Sequence, residues 1–102
     1  MKKPETKFRE STYPFLNSLK NCFWESIQQI AIKSTCDIIM CIQGRYVGME
    51  YKKDEKTKPR KHQIYKHKRI VNKGKGRVLI PCPENWHLIK KELKRLTKLP
   101  PI

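Results

Sequence analysis

Two acids and a lysine, Asp37, Glu50 and Lys52, stand close enough in this 102-residue chain to share a reactive centre if a hairpin joins them. The run Cys36-Asp37-Ile38-Ile39-Met40-Cys41-Ile42 is followed by Gln43-Gly44, and then by Arg45-Tyr46-Val47-Gly48-Met49-Glu50-Tyr51-Lys52. Two apolar runs around a two-residue turn containing glycine predict a β-hairpin. With Gln43 and Gly44 at the centre of the turn, antiparallel register sets Asp37 opposite Glu50, with Cβ atoms about 4.5–5.5 Å apart. Lys52 falls on the same face, because side chains alternate along a strand. Facing carboxylates repel, and two compensations are open: Lys52 itself, or a divalent cation. Hard carboxylate oxygens suit Mg2+ or Mn2+, with water and phosphate oxygens completing the coordination. A turn longer by one residue would shift the register and part the two acids.

The elements around the hairpin must hold this face in place. Its other face carries Ile38, Met40, Ile42, Val47, Met49 and Tyr51, an apolar surface whose burial fixes the register. Gly48, across from Ile39, leaves the acidic face one side chain short, an opening through which a ligand could approach. Upstream, Phe8, Tyr13, Phe15, Leu16 and Leu19 recur at helical spacing over residues 5–19, with a break or start near Pro14. Residues 23–32, with Phe23, Ile27 and Ile30, read as extended.

Downstream, the charged run from Lys52 to Lys61 has nothing to bury and reads as a loop, with Pro59 near a helix entrance. Gln63, Ile64, His67, Ile70 and Val71 mark a helix that Gly74-Lys75-Gly76 ends. Arg77-Val78-Leu79-Ile80 reads as a strand stopped by Pro81 and Pro83. Trp86, Ile89, Leu93 and Leu96 form the apolar stripe of a last helix, with Lys90, Lys91, Lys94 and Arg95 outside. The order is α-β-β-β-α-β-α, which predicts an α/β fold: one domain over 1–102, a mixed sheet flanked by helices, with 1–4 and 98–102 as flexible ends.

Twenty-four Lys and Arg against nine Asp and Glu give a formal charge of +15, spread along the chain. A field of that size on a small domain points first to nucleic acid, ahead of an anionic membrane or an acidic protein. Lys53, Lys56, Lys58, Arg60 and Lys61 would track a phosphate backbone beside the hairpin, and Lys66, Lys68 and Arg69 extend that surface. No apolar run reaches the roughly eighteen residues of a membrane span, and charge follows Met1, so the expectation is a soluble, intracellular, cytoplasmic protein. Four cysteines without a C-x-x-C pair read as buried free thiols. His62, His67 and His87 have no partner at ligand spacing, and Trp24 and Trp86 read as core.

At Asp37 and the tripeptide Glu50-Tyr51-Lys52 the chain resembles the PD-(D/E)xK nuclease superfamily. Within it, the chain is most similar to small stand-alone virus-type replication-repair (VRR-NUC) nucleases, which are themselves like Holliday junction resolvases. Trp24, Asp37, Gly44, Glu50, Lys52, Gln63, the strand at 78–80 and the helix from Trp86 follow that family's order, over roughly residues 5–96. The family's Gly-x-Pro before the acid is Ser34-Thr35-Cys36 here.

The resemblance implies a restriction-endonuclease-like fold and hydrolysis of phosphodiester bonds in DNA, branched DNA above all. Asp37, Glu50 and the main-chain carbonyl of Tyr51 would hold Mg2+ or Mn2+, which polarises the phosphate and activates a water. Lys52 would orient that water or stabilise transition-state charge. Gln63 would support Lys52 or the water, and Glu10, or less directly Glu5, would be the first-helix carboxylate. Paired symmetric nicks imply a homodimer. The resemblance also implies a virus- or phage-encoded origin, with a part in DNA repair or recombination in a host cell. The competing readings are a non-catalytic basic nucleic-acid binder with a degenerate nuclease fold, and a nuclease module of a larger complex.

Overall fold

The computed structural model describes residues 2–27 and 36–102. It is an α/β fold with a four-stranded mixed sheet flanked by helices. The expected first helix is two, α1 (Pro4–Ser11) and α2 (Tyr13–Ser18), with Pro14 in the first turn of α2. Proline is tolerated there because that N–H has no helical partner to lose. Thr12 joins the two helices: its hydroxyl donates to the Arg9 carbonyl at 2.6 Å and accepts from the Tyr51 hydroxyl at 2.8 Å. The break therefore ties the N-terminal helices to the hairpin.

Strand β1 (Cys22–Ser26) pairs antiparallel with β2 (Ile38–Ile42), and β2 with β3 (Arg45–Met49). The expected extension of β1 to residue 32, with Ile30, and the Ser34-Thr35 lead-in lie outside the described residues. The turn is the predicted one, with φ +52° at Gln43 and +85° at Gly44. Positive φ at both central residues matches the twist of a hairpin, at a cost for Gln43 that glycine does not bear. Register follows: Ile38 pairs with Met49, Met40 with Val47 and Ile42 with Arg45.

Helix α3 (Lys61–Asn72) then crosses over to β4 (Arg77–Leu79), which pairs parallel with β3, giving the sheet order β1-β2-β3-β4. Helix α4 (Trp86–Thr97) follows. The apolar hairpin face packs against Leu16 of α2 and Ile89, Leu93 and Leu96 of α4, while Trp86 sits edge-on to Phe8 and Phe15 at 5.9 and 5.6 Å. Trp24 is half-buried against Tyr13, with ring centroids 5.0 Å apart. The opposite face of the sheet receives α3.

The C-terminal tail lies along the hairpin turn. The Ile102 N–H donates to the Gln43 carbonyl at 3.1 Å, and Arg45 donates to the Pro100 carbonyl at 2.8 Å. At the other end, Pro4 already begins α1 and Lys2 pairs with Glu10. Among the described residues no helix is long and apolar enough to cross a membrane.

Candidate active site

Beyond Ile38 and Met49 the hairpin strands part, and side chains take over the pairing that the backbone gives up. The Tyr51 N–H donates to Asp37 Oδ2 at 2.8 Å, while the Asp37 carbonyl accepts from the Ile27 N–H at 2.8 Å. On its other edge the strand continues toward β4: the Glu50 N–H donates to the Leu79 carbonyl and the Lys52 N–H to the Pro81 carbonyl, both at 2.9 Å. The backbone at residues 50–52 is thus held from both sides. In extended chain a residue's N–H and C=O leave on the same side, so the Tyr51 carbonyl is directed toward Asp37.

Glu50 and Lys52 are far more buried than charged groups usually are, at 4% and 8% exposed. Lys52 Nζ lies 4.0 Å from Glu50 Oε2 and donates to Gln63 Oε1 at 3.2 Å. Gln63 is the third residue of α3, and the same Oε1 accepts the Arg60 N–H at 2.9 Å. This oxygen satisfies an orphan donor at the helix start and orients the lysine with its remaining lone pair. Arg9 Nη1 stands 3.9 Å from Asp37 Oδ1, a contribution from α1 that the sequence pattern does not announce.

Electrostatically the site is an acid pair that Lys52 and Arg9 compensate only in part. Burial first, and the Asp37 charge second, push the Glu50 carboxyl up to about 8, with Lys52 opposing. Glu50 Oε1 is buried without a hydrogen-bond partner. The two carboxylates, one with an orphaned oxygen, and the nearby main-chain carbonyl are the oxygen donors a hard divalent cation takes, while Arg9 and Lys52 at 3.9 and 4.0 Å offset part of the acids' charge.

Of the two first-helix acids, Glu10 is not at the site; it pairs with Lys2 on the outer surface of α1. Glu5 is there instead, its carboxyl raised by burial and then by the Asp37 charge, with Lys52 and Arg9 opposing. Helix rotation decides this: Glu5, Phe8, Arg9 and Thr12 share the face that docks on the hairpin, and Phe8 meets Tyr51 edge-on at 5.7 Å. Glu10 is five residues from Glu5, about 140° round the helix.

The opening expected at Gly48 is filled. A Cβ there would come within 2.7 Å of Cys36 Sγ, so the glycine is what lets the thiol lie on β3. Cys36 and Cys82 are buried free thiols as expected, whereas Cys22 is half-buried and Cys41 exposed. His67 is buried at the site, whereas His62 and His87, which its sequence context does not set apart from it, are exposed. Lys53, Lys56, Lys58, Arg60 and Lys61 are all exposed, in and just after the loop that follows Lys52, and Lys66 is partly buried. Asp54 shapes their loop by accepting from the Lys56 and Thr57 N–H groups at 3.0 and 2.9 Å.

No protein-family model, characterised protein or solved structure matches the chain.

Proposed function

We propose that the protein is a metal-dependent endonuclease hydrolysing phosphodiester bonds in DNA, with Asp37, Glu50 and the Tyr51 carbonyl as ligands for Mg2+ or Mn2+. The observation that carries this reading is the meeting of the Asp37 and Glu50 carboxylates beside a buried lysine that Gln63 orients. The bound cation would polarise the scissile phosphate and lower the pKa of a water.

The chain's own residues supply the rest. Asp37 is fixed by the Tyr51 N–H, so its second oxygen keeps a set direction. Lys52 brings an ammonium to the phosphate oxygen on which charge accumulates, or to the attacking water. Gln63 is a positioning residue acting through Lys52. The lysines of residues 53–61 draw in the DNA backbone; replacing Lys56, Lys58 and Lys61 by Gln should lower the salt dependence of binding by about one unit for each phosphate those lysines neutralise. Unchanged slope would remove the loop from the DNA surface.

Glu5 joins this site as the first-helix carboxylate in place of Glu10. Glu5→Gln is expected to slow cleavage by about tenfold or more, the scale for a residue supporting a metal ligand. Glu10→Gln is expected to leave it unchanged, and equal effects would contradict the assignment.

The resemblance to Holliday junction resolvases favours branched DNA, and two symmetric cuts would come from two copies of the chain. The test is cleavage of a labelled four-way junction, linear duplex and single strand in Mg2+, Mn2+ or EDTA, by the native protein and Asp37→Asn. Paired nicks in the junction that need both metal and Asp37 support the full reading. Cutting of every substrate with the same dependence keeps the nuclease and discards junction selectivity. Tight binding without cutting in either metal overturns the enzyme in favour of a non-catalytic binder.

A further inference from the structure

On the side of Glu50 facing α3, three ligand types converge from three elements. Cys36 lies just before β2, Glu50 just after β3 and His67 in the middle of α3, and their ligand atoms all lie within 4.8 Å of one another. All three residues are buried, with His67 only 9% exposed. Glu50 Oε1 and His67 Nε2 are both buried without a hydrogen-bond partner. Buried polar atoms left without a partner are costly to a fold, so a ligand shared by both atoms would relieve the pair.

We propose that Cys36, Glu50 and His67 form a binding site for a borderline-soft divalent cation of the zinc type, distinct in chemistry from the Mg2+ or Mn2+ position and sharing Glu50 with it. A thiolate, an imidazole and a carboxylate are the donors zinc takes, whereas Mg2+ selects oxygen. Three protein ligands leave a fourth tetrahedral position open. With bonds of about 2.0–2.3 Å, tetrahedral donors stand roughly 3.3–3.8 Å apart. The observed separations, all within 4.8 Å, stand about 1 Å or less above that range.

Two structural features favour closure. Gly48 gives the thiol its seat on β3, since a Cβ would collide with Sγ at 2.7 Å. Gln63 and His67, one helical turn apart on α3, present one residue to Lys52 and the other to Glu50, so the helix that orients the lysine also delivers the imidazole. An ion here would join the hairpin to the crossover helix. It would also occupy Glu50 and so oppose the hard cation; that inhibitory consequence rests on the nuclease reading, while the binding itself does not.

Cobalt(II) titration of the full-length, reduced protein, followed by absorbance, tests the site without any cleavage assay. One equivalent of Co2+ per chain should bind with a thiolate-to-cobalt charge-transfer band, and Zn2+ should displace it. Cys36→Ser should abolish the band. His67→Gln should weaken cobalt binding at least about 100-fold, since losing even an outer partner of a metal ligand costs ~10–100-fold. Cys41→Ser, at the exposed cysteine, should change nothing. Circular dichroism of each variant establishes that it is folded, and Zn2+ should raise the melting temperature of the native protein and Cys41→Ser alone.

Absence of a thiolate band in folded native protein, or its loss in Cys41→Ser with retention in Cys36→Ser, would overturn the proposal. A Cys36-dependent band in a protein that cuts no DNA in Mg2+ would uphold this site and sink the nuclease. Cutting without the band would do the reverse.

Discussion

Glu50→Gln is expected to lower DNA cleavage by at least about 10³-fold while raising the melting temperature of the metal-free protein at pH 8. The two effects have one cause. Glu50 is 4% exposed, faces the Asp37 charge, and has one oxygen with no partner. In the metal-free protein at pH 8 a large fraction of this group is ionised, in a place that solvates it poorly. Glutamine keeps the volume, removes the charge and offers Asp37 an amide donor, so the fold gains on the order of 1 kcal/mol or more, a rise of about 4–8 °C for a domain this small. The same substitution removes the ligand that the proposed cation needs.

Lys52→Ala should also abolish cleavage, but with stability changing in the opposite direction. It removes the ammonium 4.0 Å from Glu50 and leaves Gln63 without its side-chain donor. Melting curves in EDTA and single-turnover cleavage in Mg2+ on both variants check the pair. Cleavage retained in Glu50→Gln would sink the catalytic assignment, and a fall in its melting temperature would sink the account of a strained acid pair. In the double variant the losses should fail to add, because each residue sets the electrostatics of the other.

Much of this site is legible in the sequence because strand geometry is nearly digital. The period-2 alternation of Ile38, Met40, Ile42, Val47, Met49 and Tyr51, together with Gly44, admits one register, and that register alone puts Asp37 and Glu50 on one face. Helix rotation is less constrained by composition. Glu10 stands ahead of Glu5 only until the docking face of α1 is known; Phe8 and Thr12 set that face, and the spacing 5-8-9-12 is the signal for it. The split at Thr12 follows from Pro14, but its purpose, a hydroxyl reaching Tyr51, is a contact across 39 residues that no local pattern encodes.

Cys36 and His67 are hidden in the sequence for the same reason. Ligand spacing identifies metal sites built on one helix or one loop, whereas these two meet only through the fold, Cys36 standing just before β2 and His67 on the helix that crosses from β3 to β4. Gln63 stands out through family resemblance rather than through its own pattern. Its geometry shows why it would serve: the same oxygen that accepts the Arg60 N–H holds Lys52, so helix start and site are built with one atom. Nor does the sequence foretell that the tail returns to the turn, since the acceptors there, the Gln43, Thr97 and Pro100 carbonyls, are all main-chain atoms that no residue type marks.

In EDTA, the protein should lose stability as pH rises toward about 8. Unfolded, Glu50 titrates near its ordinary 4.5; folded, burial and the Asp37 charge hold its proton until about 8. Between those values the folded state retains a proton that the unfolded state has released, so unfolding free energy falls with pH, by up to about 1.4 kcal/mol per unit. The contribution is fully present below 4.5 and gone above about 8. The groups facing Glu50 set where the fall is clearest. Asp37 and Glu5 raise its carboxyl further and Lys52 opposes them, while Cys36 and His67 close the side toward α3. His67, lowered from 6.5 by burial and then by Lys52, works in the other direction, since it must shed its proton to fold and so adds stability as pH rises toward 6.5. Below 6.5 the two trends oppose one another, and above it the contribution of His67 is complete while that of Glu50 continues to fall. The decisive window is therefore pH 6.5 to about 8, where melting temperature should decline in the native protein and stay level in Glu50→Gln. A native profile flat across that window would mean that Glu50 is ionised without strain and the acid pair needs no further cation. If it declines, adding Mg2+ should reverse the decline, and increasingly so toward pH 8, because the ion binds only the form of Glu50 that the metal-free fold resists.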